Sequence, residues 1–231
     1  MIHITIDGPS GAGKSTVAKA AAKKLGIIYL DTGAIYRAFA YAALQNGVDI
    51  NDEAETATFL ASADIAVGYT DGGVQNVFFN GADVTEFIRE HNISKAASDI
   101  SRHIPVRIRL SEIQREIAKR RDVVLDGRDA GTFVLPDANF KFYLTADVEE
   151  RARRRYAEIK KKNGTGGANV DYEKVLSDIK IRDFNDSNRS FAPLKKAEDA
   201  ELIDSTRMNA EEVAEYIVKT VEKKTGHGRR E

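Results

Sequence analysis

A glycine-rich segment near the start of the chain constrains the fold more than any other feature. It reads Gly8-Pro9-Ser10-Gly11-Ala12-Gly13-Lys14-Ser15-Thr16 and matches G-x-x-x-x-G-K-[ST], a phosphate-binding motif. Residues 2–6 alternate apolar and polar side chains, which indicates a strand. Residues 17–25 are rich in helix formers and are followed by Gly26, which is typical of a helix C-cap. Strand, loop and helix in this order predict a nucleoside-triphosphate site.

The residue types in residues 8–16, here called the phosphate loop, suit a polyphosphate. Glycines let the backbone turn tightly so that its N–H groups face phosphate oxygens. The following helix directs its positive dipole end at the same anion. In this motif the lysine, Lys14, reaches the β- and γ-phosphates, and the hydroxyl of Ser15 binds Mg²⁺. The alternative is a chance match in an ordinary glycine-bearing turn.

Composition excludes several classes of protein. The 231 residues suffice for one domain with a full core and a small insertion. The formal net charge is −1, so we do not expect nucleic acid as a partner. There is no cysteine, which excludes disulfides, thiolate metal sites and cysteine nucleophiles. The first strand begins at residue 2 and no run of 18 apolar residues occurs. We therefore expect a cytoplasmic protein that does not bind membranes, and we expect a monomer.

Most of the chain alternates strand-like and helix-like segments, which predicts an α/β fold of three layers with a central parallel sheet flanked by helices. The predicted strands cover residues 2–6, 27–30, 123–125, 140–144 and 201–204. The predicted helices cover residues 17–25, 34–46, 147–162, 171–186 and 210–223.

Two regions interrupt the alternation. Residues 64–86 contain short apolar runs separated by Gly72-Gly73 and Asn80-Gly81, which are hairpin signals. They predict a small antiparallel β subdomain inserted into a core of residues 1–63 and 87–231. Residues 160–169 are basic and then glycine-rich, which predicts a mobile loop, and we place a lid at about 153–170. The polar tail 225–231 is predicted to fray.

Asp126 and a set of arginines are the remaining candidates for chemistry. Asp126 ends the predicted strand 123–125, so it lies at the carboxyl edge of the sheet and either supports Mg²⁺ or caps a turn. Guanidinium binds phosphate in two places at once, although a single arginine is more often a solvated helix residue. The arginines near predicted element edges or the mobile loop are Arg37, Arg107, Arg128, Arg151, Arg154, Arg155, Arg182 and Arg189.

Two further segments carry polar side chains in a suggestive order. Thr32 follows the second predicted strand and is expected to cap a helix whose first turns present Tyr36 and Arg37. Residues 182–189 mix carboxylates and guanidiniums, which suits the hydroxyl and phosphate groups of a second nucleotide. The alternative for residues 182–189 is a surface helix with ion pairs. Arg151, Arg154 and Arg155 fall on one helix face, where like charges repel unless Glu149 and Glu150 compensate.

Five motifs in order resemble those of bacterial cytidylate kinases, and the resemblance covers essentially the whole chain. They are residues 6–14, 31–37, 126–132, 150–155 and 182–189 with Ala192-Pro193-Leu194. The resemblance implies an enzyme that uses ATP and Mg²⁺ to phosphorylate CMP and dCMP, giving CDP and dCDP.

The resemblance also implies roles for individual residues. Ser98, Asp129 and Arg107 would read the cytosine edge, although Arg109, two positions on, competes with Arg107 for this role. Thr32 stands where the family often has serine. Tyr36, Arg37 and Arg128 would hold the acceptor phosphate, and Asp186 with Arg182 and Arg189 would contact the sugar and nearby phosphate. Arg151, Arg154 and Arg155 would lie on a lid over the ATP phosphates. The expected catalytic residues are Lys14, Asp126, Arg128, Arg151 and Arg155, with Ser15 and Asp126 at the metal.

Other functions compete with this interpretation. The nearest alternative is another small-acceptor kinase of the same fold, acting on UMP, AMP or a non-nucleotide such as shikimate. A non-catalytic nucleotide sensor would bind ATP without transferring phosphate. A GTP-driven switch is disfavoured because the chain contains no D-x-x-G and no N-K-x-D, and an ABC-type ATPase because it contains no L-S-G-G-Q.

Overall fold

The computed structural model describes residues 1–163 and 171–226. A sheet of five parallel strands lies at its centre in the order β2-β6-β1-β7-β8. Because parallel strands end at one edge, Asp7, Asp31 and Asp126 all lie at the carboxyl edge of the sheet. The strands are β1 (His3–Asp7), β2 (Ile28–Asp31), β6 (Val123–Gly127), β7 (Phe140–Thr145) and β8 (Glu201–Asp204).

Helices cover both faces of this sheet and close two apolar cores. Val124 of β6 packs with helices α1 (Lys14–Leu25) and α8 (Ala210–Thr225). Its neighbours Val123 and Leu125 face the other side, towards α2 (Thr32–Gln45) and α5 (Ile104–Ala118). This alternation follows from the twofold side-chain period of a strand. The predicted three-layer α/β fold with a parallel sheet is confirmed. The remaining helices are α3 (Glu53–Ala61), α4 (His91–Ile100), α6 (Val148–Asn163) and α7 (Tyr172–Asn188).

A second, antiparallel sheet of three strands packs against α2. It consists of β3 (Ile65–Tyr69), β4 (Gln75–Phe79) and β5 (Ala82–Asp83). Asn80 and Gly81 both have positive φ, 48° and 81°, as a tight hairpin turn requires. Val77 of β4 is buried in the α2 core, which holds the small sheet in place. The predicted inserted β structure is therefore present, while the domain boundaries remain predictions.

The structure corrects several details of the sequence analysis. Helices α3, α4 and α5 were not predicted, nor was a π-helical turn at Ala130–Val134. Helix α2 begins at Thr32 rather than at residue 34. Helix α6 extends into the predicted mobile loop 160–169, whose remainder, like most of the predicted frayed tail, lies outside the described residues. Within the described ranges, no helix combines the length and apolar character needed to span a bilayer.

Candidate active site

The phosphate loop joins β1 to α1 and presents mainly its backbone. Gly11 and Gly13 have φ of 75° and 90°, a region that side chains disfavour. Gly8 meets the neighbouring strand so closely that a Cβ there would lie 2.0 Å from the carbonyl oxygen of Leu144 in β7. The loop therefore keeps the bent, glycine-lined shape that the motif predicts.

Lys14 is the first residue of α1 and its side chain is buried, with a relative exposure of 5%. Its Nζ donates to the carbonyl oxygen of Pro9 at 2.7 Å, which folds the side chain back over the loop. Burial, followed by the nearby guanidinium of Arg128, holds the pKa of Lys14 well below its usual value. The loop thus concentrates positive charge that an anionic ligand would stabilise.

Asp126 lies next to this loop at the end of β6. Its Oδ2 accepts a hydrogen bond from the Ser15 hydroxyl at 2.7 Å, and its Oδ1 accepts one from the Tyr29 hydroxyl at 2.7 Å. Burial, and then the charge of Asp31, raise the pKa of the Asp126 carboxyl. A cation between Ser15 and Asp126 would reverse this shift.

The oxygen atoms of Ser15 and Asp126 fit Mg²⁺. This ion keeps several waters and is held by one or two protein oxygens together with substrate phosphates, rather than by a cage of protein ligands. In the described part of the chain no cluster of three or more acidic or histidine residues could hold a metal by itself. A site for Mg²⁺ here would therefore need phosphate oxygens to complete it.

Arg151 of α6 contacts the phosphate loop directly, and it shares this contact with Asp183, a residue that the sequence analysis gave no role of its own. Its Nη1 donates to the carbonyl oxygen of Ser10 at 2.7 Å and to Asp183 Oδ2 at 2.5 Å. Asp183, in α7, also accepts from the backbone N–H of Ser10 at 2.8 Å. Helices α6 and α7 are thereby both linked to the phosphate loop by hydrogen bonds.

The other two arginines predicted to lie over the ATP phosphates, Arg154 and Arg155, do not contact the phosphate loop among the described contacts. Arg154 donates to the carbonyl oxygen of Ser205, after β8, at 2.6 Å and pairs with Glu150 at 3.0 Å. Arg155 pairs with Glu158 at 2.8 Å on its own helix. Glu150 compensates Arg154 as expected, but Arg155 pairs with Glu158 rather than with Glu149. Among the described contacts, only Arg151 of the three arginines reaches the loop.

A second group of charged side chains lies beyond the loop, at the ends of β6 and α7. We call it the acceptor cluster. Arg107 of α5 binds Asp129 at 2.5 Å, and Arg189 approaches the same carboxylate at 3.3 Å. Arg128 binds Asp186 at 2.8 Å. All these side chains are at least four-fifths buried, so the pairs are shielded from water and salt. The acceptor cluster consists of Arg107, Arg128, Asp129, Arg182, Asp186 and Arg189.

The acceptor cluster holds four guanidiniums but only two carboxylates. Burial and the charge of Arg128 lower the pKa of Arg182 to about 10, and its Nε has no hydrogen-bond partner among the described residues. Burial opposes ionisation of Asp186, yet Arg128 and Arg182 outweigh it and lower the pKa of this carboxyl. The imbalance favours an added anion, such as a phosphate group.

Residues of the 31–37 segment lie between the two groups. Asp31, and not Thr32 as predicted, caps α2, since its Oδ1 accepts from the N–H of Ala34 at 2.9 Å. The Thr32 hydroxyl instead donates to the carbonyl oxygen of Asp126 at 2.7 Å. Arg37 pairs with Asp31 at 3.0 Å. The side chains of Asp31 and Thr32 therefore hold the backbone at the start of α2 and at Asp126.

Tyr36, predicted to hold the acceptor phosphate, and the remaining predicted contacts of the base lie near Arg107 or on α4 and α5. The Tyr36 ring lies 5.7 Å from the guanidinium carbon of Arg107, and burial raises the pKa of Tyr36 to about 12. Ser98 is half-buried on α4, and its described link to the cluster runs through Ser101, whose carbonyl oxygen accepts from Arg107 at 3.2 Å. Arg109 is 52% exposed and pairs with Glu112. Of the two competing arginines, Arg107 alone faces the acceptor cluster.

Sequence reasoning missed three residues that organise the site. Asp7 accepts hydrogen bonds from the N–H groups of Ala130 and Gly131 at 2.8 and 2.7 Å. Asp183 binds the phosphate loop, as described above. Gln75 of β4 accepts from the N–H of Asp31 at 2.7 Å and so joins the small sheet to the site. An acidic residue directly before the glycine motif was the one available signal, for Asp7.

The first strand of the parallel sheet enters a glycine loop with a buried lysine, and a second, cationic cluster lies beside this loop. This combination defines a P-loop kinase. The fold resembles that of a solved, uncharacterized protein from Eubacterium ventriosum, with a TM-score of 0.52 and 15% identity over 96% of this chain and 99% of that one. This similarity concerns the fold alone.

Sequence comparison narrows the class to one family. The cytidylate kinase family model matches residues 4–223. The cytidylate kinase of Caldicellulosiruptor bescii is 49% identical over 217 residues, which cover 94% of both chains. That of Bacillus subtilis is 49% identical over 224 residues, which cover 97% of this chain and 98% of the relative. This chain belongs to the cytidylate kinase family.

Proposed function

We propose that this protein transfers the γ-phosphoryl group of ATP to CMP and dCMP, giving ADP with CDP or dCDP. The observation that carries the proposal is the buried Asp129–Arg107 pair, held at 2.5 Å beside a phosphate loop with a buried lysine. The phosphate loop would bind a polyphosphate, and the Asp129–Arg107 pair would present a carboxylate and a guanidinium to the edge of a base. The family relationship supports the same reaction.

The donor side consists of the phosphate loop, Lys14 and Arg151. Backbone N–H groups of residues 8–16 bind the ATP phosphates, and Lys14 exchanges its contact with Pro9 for phosphate oxygens. Ser15 and Asp126 would hold Mg²⁺, which would supply neutralisation of phosphate charge. Arg151 already contacts the loop, whereas Arg154 and Arg155 need to leave their glutamate partners to reach phosphate.

The acceptor side consists of the acceptor cluster with Thr32, Tyr36, Arg37 and Ser98. Tyr36, Arg37 and Arg128 hold the CMP phosphate, and Asp186 with Arg182 and Arg189 contacts the sugar and nearby phosphate. Asp129 accepts from the cytosine amino group, while Arg107 and Ser98 donate to ring acceptors. UMP would present a carbonyl oxygen to the Asp129 carboxylate, and such a mismatch in a buried site discriminates strongly.

The reaction needs no general base from the protein. The acceptor phosphate, with a second pKa of about 6, is already largely dianionic at neutral pH. Catalysis then depends on in-line positioning and on positive charge around the transferring group. Lys14 of α1, Arg151 of α6 and Arg128, which directly follows β6, supply that charge. Closure of the lid at about 153–170 excludes water, which would otherwise accept the phosphoryl group.

The inserted sheet is proposed to help bind the acceptor nucleotide. The contact between Gln75 and the backbone of Asp31 supports this role, because Asp31 also pairs with Arg37. The expected monomeric state and cytoplasmic location stay predictions.

ADP release measured with ATP, Mg²⁺ and each of CMP, dCMP, UMP and AMP tests the proposal. We expect CMP and dCMP to be the preferred acceptors. Preference for UMP, AMP or a non-nucleotide would assign the chain to another small-acceptor kinase. Binding of ATP without ADP release on any acceptor would indicate a nucleotide sensor.

A further inference from the structure

The buried carboxylate of Asp7 has no role in the reaction proposed above. Asp7 ends β1, directly before the phosphate loop, and is 3% exposed. Its two oxygens accept from the N–H groups of Ala130 and Gly131, at 2.8 and 2.7 Å. These are the first two N–H groups of the π-helical turn Ala130–Val134, which have no partner within the turn.

Asp129 occupies the N-cap position of the same turn. An aspartate there ordinarily accepts from the N–H groups of the first turn. Asp129 makes no such bond, and its carboxylate instead binds Arg107 at 2.5 Å and approaches Arg189 at 3.3 Å. A residue from another strand therefore does the capping that Asp129 would do locally.

Gly131 is an independent sign that this contact is built into the fold. A Cβ at Gly131 would lie 2.8 Å from Thr5 Oγ1 and 3.3 Å from Asp7 Oδ2. A side chain at position 131 would therefore crowd both the Thr5 hydroxyl and the Asp7 carboxylate. Substitution of Gly131 thus disturbs the contact without changing any charge.

We propose that Asp7 is a positioning residue for base recognition, which acts by capping the 130–134 turn in place of Asp129. This rests on the proposed role of Asp129 towards cytosine. With the N–H groups of residues 130 and 131 already bound, the Asp129 carboxylate stays with Arg107 and faces the base. Without Asp7, those N–H groups attract the Asp129 carboxylate, and Arg107 loses its partner.

The test compares Asp7→Asn, Gly131→Ala and Asp129→Asn by kcat/KM for CMP and UMP and by KM for ATP. Asp7→Asn and Gly131→Ala are expected to lower the CMP-to-UMP preference about tenfold, the size of effect that a lost cap produces. KM for ATP should change less than the CMP-to-UMP preference does, because the described hydrogen bonds of the Asp7 side chain go to residues 130 and 131 and not to the phosphate loop. The matched control is Asp52→Asn, since Asp52 caps α3 through the N–H groups of Ala54 and Glu55 at 2.8 and 3.0 Å. It should leave the preference unchanged.

Double variants separate positioning from general destabilisation. If Asp7 acts through Asp129, adding Asp7→Asn to Asp129→Asn causes no further loss of preference. Additive losses, or an unchanged preference in both Asp7→Asn and Gly131→Ala, overturn the proposal. Gly131→Ala decides the question should Asp7→Asn not fold.

A separate outcome concerns the proposed function. If Asp129→Asn keeps full preference for CMP, the role of Asp129 towards the base is wrong. A crystal structure of Asp7→Asn then decides the positioning claim. Asp129 turned to the N–H groups of residues 130 and 131 supports it, and Asp129 still bound to Arg107 overturns it.

Discussion

The phosphate loop and the acceptor cluster both attract anions, but they are built in opposite ways. The loop is one contiguous segment that offers backbone N–H groups and a single buried lysine. The acceptor cluster draws side chains from α5, the end of β6 and the end of α7, and binds them in carboxylate–guanidinium pairs. Every nucleotide donor presents phosphates, so geometry suffices for the loop. A particular base demands directed donors and acceptors, which only side chains from several elements provide.

The two regions also differ in how their charge is balanced. Burial and the nearby Arg128 lower the pKa of Lys14, so its charged form would gain from a bound anion. In the acceptor cluster, guanidiniums outnumber carboxylates, but ion pairs already hold Arg107 and Arg128. We conclude that both regions favour an anionic ligand and that the acceptor cluster is the one already arranged by its own ion pairs. The predictions below test this contrast.

The largest effect is expected for Lys14→Ala. Loss of the buried ammonium should lower kcat about 10³-fold or more, the range seen when a charge at a transferring phosphoryl group is removed. The melting temperature should not fall, because the repulsion between Lys14 and Arg128 disappears as well. Steady-state kinetics and calorimetry measure both. Near-normal turnover would refute the role of Lys14.

Asp129→Ala should cause the next largest change, and only on the acceptor side. We expect kcat/KM for CMP to fall about 10²-fold, since the buried partner of the cytosine amino group is lost. Binding of ATP, measured by calorimetry, should be nearly unchanged. Equal losses for CMP and UMP would contradict a role for Asp129 in reading the base.

Arg107→Lys and Arg109→Lys form a matched pair two positions apart on α5. Lysine keeps the charge but not the planar fork, so Arg107→Lys should raise KM for CMP about tenfold. Arg109 is exposed and bound to Glu112, so its substitution should have no measurable effect on KM. If Arg109→Lys shows the larger effect, the assignment of the two arginines is wrong.

The smallest effect concerns the pH dependence of stability. Burial raises the pKa of Asp7 from 3.8 to about 6, although the N–H groups of Gly131 and Ala130 and the charge of Lys14 oppose the rise and Asp129 adds to it. The folded state thus binds this proton more tightly than the unfolded state. The free energy of unfolding, relative to Asp7→Asn, should fall by roughly 1 kcal/mol between pH 5 and 6 and level off above pH 7.

Chemical denaturation of both proteins across this pH range measures the difference. A stability difference that rises with pH would mean that the Asp7 pKa is lowered by folding, contrary to the structure.

The sequence predicted those parts of the molecule whose signals are local. The phosphate loop, the five strands and the small sheet follow from glycine positions and side-chain alternation. Helices α3, α4 and α5 were missed although a local signal exists for α4, whose buried residues Ile93, Ala96, Ala97 and Ile100 recur at helical spacing. The prediction that Thr32 caps α2 was wrong, because the neighbouring Asp31 accepts from the N–H of Ala34 at the start of this helix.

Contacts between distant segments could not be read from the sequence. Asp183 binds Ser10, and Asp7 binds residues 130 and 131, only because the fold brings these segments together. Motif resemblance pointed to Arg107, Arg128 and Asp129 but gave no pairing among them. The structure supplies that pairing through the register of β1 with β6 and the packing of α5 and α7.

The close approach of Gly8 to β7 has a consequence for engineering the phosphate loop. Any side chain at Gly8 would collide with the carbonyl oxygen of Leu144, so a saturation library at this position should return glycine alone. The collision partner is main chain, which no compensating substitution removes. Directed evolution of this protein would therefore have to leave position 8 untouched and search elsewhere.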